Sequence, residues 1–266
     1  MNEPELLFTE ILNCNRSSLF LNKESPLDKD KSILIASVLK RRIKGEPIQY
    51  ILGKTEFMGL EFKVNKDVFI PRPETEILVE KTLKVVRELN ILDMGTGSGC
   101  IAISLATLLP NAKIDAIDIS EKALKIAKEN AKLNNVNINF IQGDLFTPHP
   151  SPLTPYDLIV SNPPYVPTAE IEGLQPEIKY EPDIALDGGK DGLDFYRRVV
   201  TCAPNYLNKG GFLIMEMGFN QRPAVENIFQ KSGNFEIIEV VRDYNNIERV
   251  VVTRKIREDI SYGAIY

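Results

Sequence analysis

Two short stretches hold residues whose types and spacing could do chemistry: Asp93-Met94-Gly95-Thr96-Gly97-Ser98-Gly99 and Asn162-Pro163-Pro164-Tyr165. In the first, an apolar run ends and three alternating glycines lead into a helix-forming run. Glycine lets the backbone approach a ligand, and the helix start offers free N–H donors. A dinucleotide loop, G-x-G-x-x-G, needs glycine at the position held by Cys100. The third glycine comes one residue early, which points away from NAD and towards the G-x-G-x-G loop of S-adenosylmethionine (SAM) enzymes. In the second stretch, Leu158-Ile159-Val160 runs into two prolines that remove two backbone donors and fix two φ angles. The Asn162 side-chain oxygen and the Pro163 carbonyl become rigid acceptors, and Tyr165 supplies a ring to pack on a planar group. An amino group on an sp² centre is a poor nucleophile because its lone pair is delocalised. Two acceptors holding both of its N–H bonds would aim that lone pair at a sulfonium methyl, within the ~7–11 kcal/mol available from proximity.

Further polar residues fall at strand ends. Asp118, nineteen residues past Gly99, closes a second apolar run, where a carboxylate can accept both hydroxyls of a ribose. Asp144 and Leu145 close a third and could flank an adenine; Asp144 also suits a turn or a helix cap. Arg72, Glu74 and Glu76 in IPRPETE could line a cofactor entrance or simply begin a helix with Pro73 in its first position. Asp187-Gly188-Gly189 and Asp191-Gly192 read as a plain flexible turn, and KRRIK (40–44) as a solvated helix face.

These residues need a frame, and the patterning supplies one. From Glu74 onward strands and helices alternate: ETEILVEKTLKVV helical, ILDM (91–94) a strand, CIAISLATLL helical, KIDAID (113–118) a strand, EKALKIAKENAKL helical. Strands INFI (138–141) and YDLIVS (156–161) follow, then a helix around LDFYRRVV. A turn at Lys209-Gly210-Gly211 precedes strand FLIMEM (212–217), a helix lies near Arg222–Gln230, and FEIIEVV and RVVVTRK form a closing hairpin. This alternation implies a parallel α/β sheet with helices on both faces and one antiparallel strand at or beside an edge. The first and fourth strands become neighbours at the switch point, where ligands bind at the carboxyl edge. The glycine loop and Asn162 then face each other.

Residues 1–56 read as a helical module. PELLFTEIL is amphipathic, and KDKSILIASVLKRRIKG carries Ile33, Ile35, Ala36, Leu39 and Ile43 before Gly45 stops it. Residues 57–73 read as a hairpin connector alternating at Phe62, Val64, Val68 and Ile70 about Asn65-Lys66-Asp67. The proline-rich FTPHPSPLTPY reads as a stiff surface loop.

Composition narrows the classes. The 266 residues are 43% hydrophobic and 26% charged, with net charge −5 and a pI of about 5.2. That is material for one large domain or one plus a small one, and it disfavours a general nucleic-acid binder. The chain has three cysteines, no C-x-x-C pair and a single histidine, His149, which argues against a metal site or a His-dependent triad. MNEPELLFTE lacks a signal-peptide layout and no apolar run reaches ~20 residues, so the expected address is the cytoplasm, without membrane contact.

GEPIQYILGKTEFMGLEFKV, IPRPETEILVE, DMGTGSG and NPPYVP together resemble the bacterial release factor glutamine methyltransferases of the HemK type, over nearly the whole chain. The resemblance implies a seven-stranded, Rossmann-like class I SAM-dependent methyltransferase domain (74–266), behind a small helical substrate-recognition domain and a β-hairpin connector. It implies methyl transfer from SAM, leaving S-adenosylhomocysteine, to the glutamine amide of the Gly-Gly-Gln motif in class 1 peptide chain release factors. Gly95, Thr96, Gly97, Ser98, Gly99, Asp118, Asp144, Leu145 and Asn162 would hold the cofactor. Asn162, Pro163, Pro164 and Tyr165 would receive the substrate amide, with Asn162, Pro163 and Tyr165 catalytic. The family often has a large aromatic residue where this chain has Leu145, a gap that Phe146 could fill. Composition and charge leave no metal and no direct nucleic-acid contact as expectations, and since nothing in the sequence demands a multimer the expected state is a monomer. Among related readings, a ribosomal-protein glutamine methyltransferase is disfavoured by IPRPETE. A DNA adenine methyltransferase would want a basic recognition domain, and a non-catalytic SAM-binding adaptor would not need intact Asn162 and Tyr165.

Overall fold

Side-chain caps decide where the first helices begin. The structure, a computed structural model, describes residues 2–85, 90–147 and 155–256. Helix α1 (Glu3–Leu12) opens with a capping box in which Glu5 N–H donates to Asn2 Oδ1 (2.9 Å). Asn15 caps α2 (Arg16–Leu21) and Asp28 caps α3 (Lys29–Ile43); α4 (Ile48–Leu52) ends on Gly53 in the left-handed region. Leu7, Val38 and Ile48 form a small core between these helices. Of the apolar residues expected along α3 only Ile35 is buried, joined by Val38; Ile33, Leu39 and Ile43 are exposed, because this core is too small to cover a full stripe.

The connector differs from its sequence reading. Strands β1 (Lys54–Phe57) and β2 (Leu60–Lys63) pair antiparallel across Met58-Gly59, both at positive φ (52° and 72°). Two successive residues at positive φ make the turn whose twist matches a hairpin, and Gly59 supplies one of them without strain. The expected centre, Asn65-Lys66-Asp67, is only a turn closed by Val68 N–H on the Asn65 carbonyl (3.1 Å). Val64, Val68 and Ile70 leave the strand pattern to pack with Tyr50 and Ala123.

Helix α5 (Pro73–Val85) leads into the sheet. β3 (Asn90–Met94), α6 (Cys100–Leu108), β4 (Lys113–Asp118), α7 (Glu121–Leu133), β5 (Asn139–Gln142) and β6 (Tyr156–Ser161) follow in turn. Then come α8 (Asp194–Cys202), β7 (Leu207–Glu216), α9 (Arg222–Ser232), β8 (Phe235–Arg242) and β9 (Glu248–Lys255). The seven strands from β3 onward are ordered β5-β4-β3-β6-β7-β9-β8, with β9 antiparallel to both neighbours and one place in from the edge, as expected. Both faces are buried. Leu158 and Val160 enter one core cluster with α5 and α6, whereas Ile159 enters the other with α8 and α9.

Strand β7 starts five residues earlier than the sequence suggested. Lys209-Gly210-Gly211 lies inside it as an irregularity, where its register against β6 shifts between Tyr156 and Leu158. A Cβ on Gly211 would stand 3.1 Å from the Asp157 carbonyl, so the glycine permits close approach of the strands rather than ending one. The expected proline-rich loop lies largely at 148–154, outside the described residues, as does His149.

Of the 3-10 turns after β6 (Thr168–Gly173, Ile178–Tyr180, Asp183–Ala185), the middle one and the residues just before it touch the helical N-terminal part. Arg42 pairs with both Glu3 and Glu177, Tyr180 Oη donates to the Lys44 carbonyl (3.0 Å), and a Cβ on Gly45 would lie 3.3 Å from Pro176 Cβ.

Candidate active site

The glycine loop is held from beneath by a carboxylate. Asp93, fully buried at the end of β3, accepts from Thr96 Oγ1 (2.6 Å) and from the Ala102 N–H (3.2 Å) through one oxygen. Its other oxygen, Oδ1, has no partner among the described residues, and burial pushes the carboxyl up to about 7. Gly95, Gly97 and Gly99 all have positive φ (73°, 55° and 84°). A Cβ on Gly97 would meet nothing within 4 Å, whereas one on Gly99 would lie 2.9 Å from Ile103 Cδ1. The middle glycine keeps backbone open to a ligand; the last allows tight packing at the start of α6. Ser98 is buried and its carbonyl is held by Asn130 Nδ2 (2.9 Å).

The acidic strand ends lie side by side. Asp118 accepts from the Gly97 N–H (2.8 Å) and the Ser120 N–H (2.9 Å), one bond to each oxygen, which leaves each oxygen a lone pair for a hydroxyl donor. Burial raises its pKa. The Gly143 N–H donates to the Asp118 carbonyl (3.0 Å), bringing Asp144 and Leu145 alongside. Asp144 is half-exposed and accepts from Arg198 (2.7 Å); Leu145 is buried with φ 57°. Phe146 does not fill the place of an adenine-stacking ring: it stacks on Tyr206 (centroids 4.3 Å apart) and is absent from the cavity lining.

At the end of β6, Ser161 Oγ donates to the Met94 carbonyl (2.7 Å), tying this strand to the foot of the glycine loop. Asn162 follows, half-buried, and its Nδ2 donates to Thr75 Oγ1 (3.0 Å). Thr75 Oγ1 in turn donates to Glu216 Oε2 (2.7 Å), a contact buried between α5 and the end of β7. Among the described residues, no protein group donates to Asn162 Oδ1 or to the Pro163 carbonyl. Tyr165 faces Glu216, and burial together with that charge raises its pKa. Glu216 is itself pushed up to about 7 by burial, against the hydrogen bond from Thr75 and the charge of Arg249.

Two features escaped the sequence reading. Thr75 and Glu216 looked like an ordinary helix residue and a strand end, and only their contact across α5 and β7 marks them. The Asp187–Gly192 segment is no free turn. The Val166 N–H donates to the Leu186 carbonyl (2.9 Å), the Gly188 N–H donates to the Val166 carbonyl (2.8 Å), and a Cβ on Gly192 would lie 2.3 Å from the Tyr165 carbonyl oxygen. The glycine density there was the available signal. In IPRPETE, Arg72 pairs with the buried Glu181 and lies over Phe69 (4.6 Å), and Glu76 accepts from the Met58 N–H (2.6 Å). Arg72 thus borders the site, whereas Glu76 anchors the hairpin.

Gly95–Ser98, Asp118, Asp144, Leu145 and Asn162–Tyr165 line one cavity of about 610 Å³, roofed by Pro71, Phe69 and the 3-10 turns. Its size is that of a small-molecule site. Open glycine backbone, a carboxylate with spare lone pairs and two free acceptors at its far end fit a nucleoside-bearing methyl donor beside an N–H-bearing acceptor. Among the described residues, no three His, Cys, Asp or Glu side chains gather as a metal site, and no helix is long and apolar enough to cross a membrane.

Residues 2–53 match the family described as PrmC N-terminal domain, and residues 72–174 match Methyltransferase small domain. The chain is 44% identical over 251 residues (94% of this chain, 87% of the relative) to a protein of Geobacter sulfurreducens named release factor glutamine methyltransferase. A protein of the same name from Thermodesulfovibrio yellowstonii is 43% identical over 263 residues (96% and 92%). In fold, the chain is similar to a crystal structure of a methyltransferase from Pyrococcus furiosus, with TM-score 0.59 and 17% identity over 86% of this chain and 100% of that one.

Proposed function

The chain belongs to the release factor glutamine methyltransferases, and from that premise we propose that it methylates the side-chain amide nitrogen of the Gly-Gly-Gln glutamine in class 1 peptide chain release factors, so modulating translation termination. Family and fold imply SAM as methyl donor. The observation that carries the reading is the juxtaposition of the Asp93–Gly99 loop and Asn162–Tyr165 in one cavity, at the ends of paired strands β3 and β6.

When bound, SAM supplies an electrophilic methyl on a sulfonium. Gly95–Gly99 and Asp118, with Asp144, Leu145 and Asn162 beside them, hold its nucleoside and amino-acid ends. The free Oδ1 of Asn162 and the Pro163 carbonyl accept the two N–H bonds of the substrate amide, and Pro164 and Tyr165 frame its plane. Orientation of a poor nucleophile, rather than a general base, does most of the work; as the methyl leaves the sulfonium for the nitrogen, one amide proton is released to solvent. Residues 1–56 grip the release factor, 57–73 connect, and 74–266 carry the chemistry.

Two measurements test this. Purified protein and labelled SAM are offered full-length release factor, the factor with its Gly-Gly-Gln glutamine replaced, and duplex DNA. A single methyl on that glutamine, absent from the replaced factor, is expected; label in DNA or ribosomal protein instead would overturn the substrate. Asn162→Ala is expected to slow transfer on the order of 10²–10³-fold, as loss of one oriented polar group does; near-normal turnover would sink the orienting role.

A further inference from the structure

We propose that Thr75 and Glu216 are positioning residues that fix which end of the Asn162 carboxamide the substrate meets. The inference rests on the methyl-transfer reading above and deepens it.

The direction of the hydrogen bonds carries the argument. An ionised carboxylate only accepts. Thr75 Oγ1 lies 2.7 Å from Glu216 Oε2 and commits its single hydroxyl hydrogen there. Towards Asn162, 3.0 Å away, the same oxygen can only accept. The carboxamide must therefore turn its NH₂ to Thr75, which leaves Oδ1 on the opposite side. Oxygen and nitrogen of an amide are assigned from such networks, and this one has a single self-consistent solution while Glu216 is ionised. Thr75 and Glu216 are each 2% exposed, which shields the chain from competing water.

The polarity matters because the reacting nitrogen of a primary amide carries two hydrogens and needs acceptors. A protonated Glu216 lifts this constraint, because a carboxylic acid donates as well as accepts. Once it donates to Thr75, the hydroxyl is free to turn to Asn162 Oδ1, and the amide then presents its own NH₂ to the substrate, donor against donor. Several groups face Glu216: Arg249 from β9, Glu74 from α5, Tyr165 after β6 and Cys100 at the start of α6, while Tyr196 from α8 donates to its backbone carbonyl (2.8 Å). The hydrogen bond from Thr75 and the charge of Arg249 favour the ionised form; burial and Glu74 oppose it.

The test measures kcat for methylation of full-length release factor and SAM affinity by titration calorimetry. Thr75→Val keeps the shape and removes the hydroxyl; it is expected to lower kcat on the order of 10–100-fold, a far larger change than in SAM affinity. Thr75→Ser restores most of the rate. In an Asn162→Ala background Thr75→Val costs nothing further, because the group it orients is gone. Glu216→Gln gives an independent arm: it slows turnover and removes the limb of the pH profile along which the wild-type rate rises as Glu216 ionises. A wild-type kcat in Thr75→Val, equal rates for the Val and Ser variants, or a full additive loss in the Asn162→Ala background would overturn the positioning role. A wild-type protein that never labels the factor would instead overturn the methyl-transfer reading itself.

Discussion

The side-chain amide of Asn130 on α7 donates to the Ser98 carbonyl at 2.9 Å, so the glycine loop hangs from a helix three elements further along the chain. The same side chain accepts from the Lys63 N–H (2.7 Å) and donates to the Lys63 carbonyl (3.0 Å). One fully buried asparagine thereby joins hairpin, helix and cofactor loop.

Asn130→Ala leaves the buried Ser98 carbonyl and the part-buried Lys63 N–H without this partner, at a cost of about 1–3 kcal/mol. Denaturant unfolding should show a lower midpoint, and titration should show weaker SAM binding. An unchanged midpoint would mean that water replaces the amide without loss.

Gly97→Ala separates binding from folding. Its φ of 55° and the open space around its Cβ confine the folding cost to roughly 1–2 kcal/mol of left-handed strain. The added methyl stands in the proposed cofactor space, so SAM affinity should fall far more than stability. Equal SAM affinity in a calorimetric titration would move the cofactor elsewhere.

Gly192→Ala should do the reverse. Its Cβ would lie 2.3 Å from the Tyr165 carbonyl oxygen and 2.7 Å from Gln221 Nε2, on a backbone with φ 74°. Overpacking of this kind costs roughly 1–3 kcal/mol, and the displaced Tyr165 should lose methyl transfer while SAM still binds. A melting curve and a single-turnover assay on the same preparation check both halves.

Burial holds Glu216 at about 7 rather than 4.5. Between those values the native protein keeps a proton that the unfolded chain has released. The contribution is complete below about pH 4.5, declines as pH rises, and is gone above about 7. At roughly 1.4 kcal/mol per pKa unit, stability relative to Glu216→Gln should fall by about 3 kcal/mol between pH 4.5 and 8. Paired guanidinium titrations of the two proteins across that range measure it; a constant difference would refute the shift.

The sheet was legible because its residues obey one period. Leu158, Ile159 and Val160 alternate between two cores, and strands bounded by Asp118 and Ser161 match their sequence limits to the residue. Legibility failed where glycine had more than one use. Gly210-Gly211 resembled a turn but serves strand approach, and Gly188 and Gly192 resembled a mobile loop but make room for the backbone around Tyr165. In the hairpin, Met58 takes a positive φ that its residue type does not advertise. Asn162 was legible as a terminus of a strand; Thr75 and Glu216, 141 positions apart, become partners only through the packing of α5 on β7. Periodicity reports faces of one element and is silent about which faces meet.

The contacts of Arg42, Lys44 and Gly45 with the turns after β6 make the helical part an abutment for the cavity wall rather than a handle fixed elsewhere. Ile178, Pro182 and Ile184, which line the cavity, belong to the segment braced in this way. Cutting away residues 2–53 would strip Glu177 of its guanidinium and Tyr180 of its carbonyl, so the remaining fragment would keep the sheet and the glycine loop but lose one buttress of its roof. A load applied to the helices by a docked protein reaches the chamber by the same short route, across three residues of one helix end.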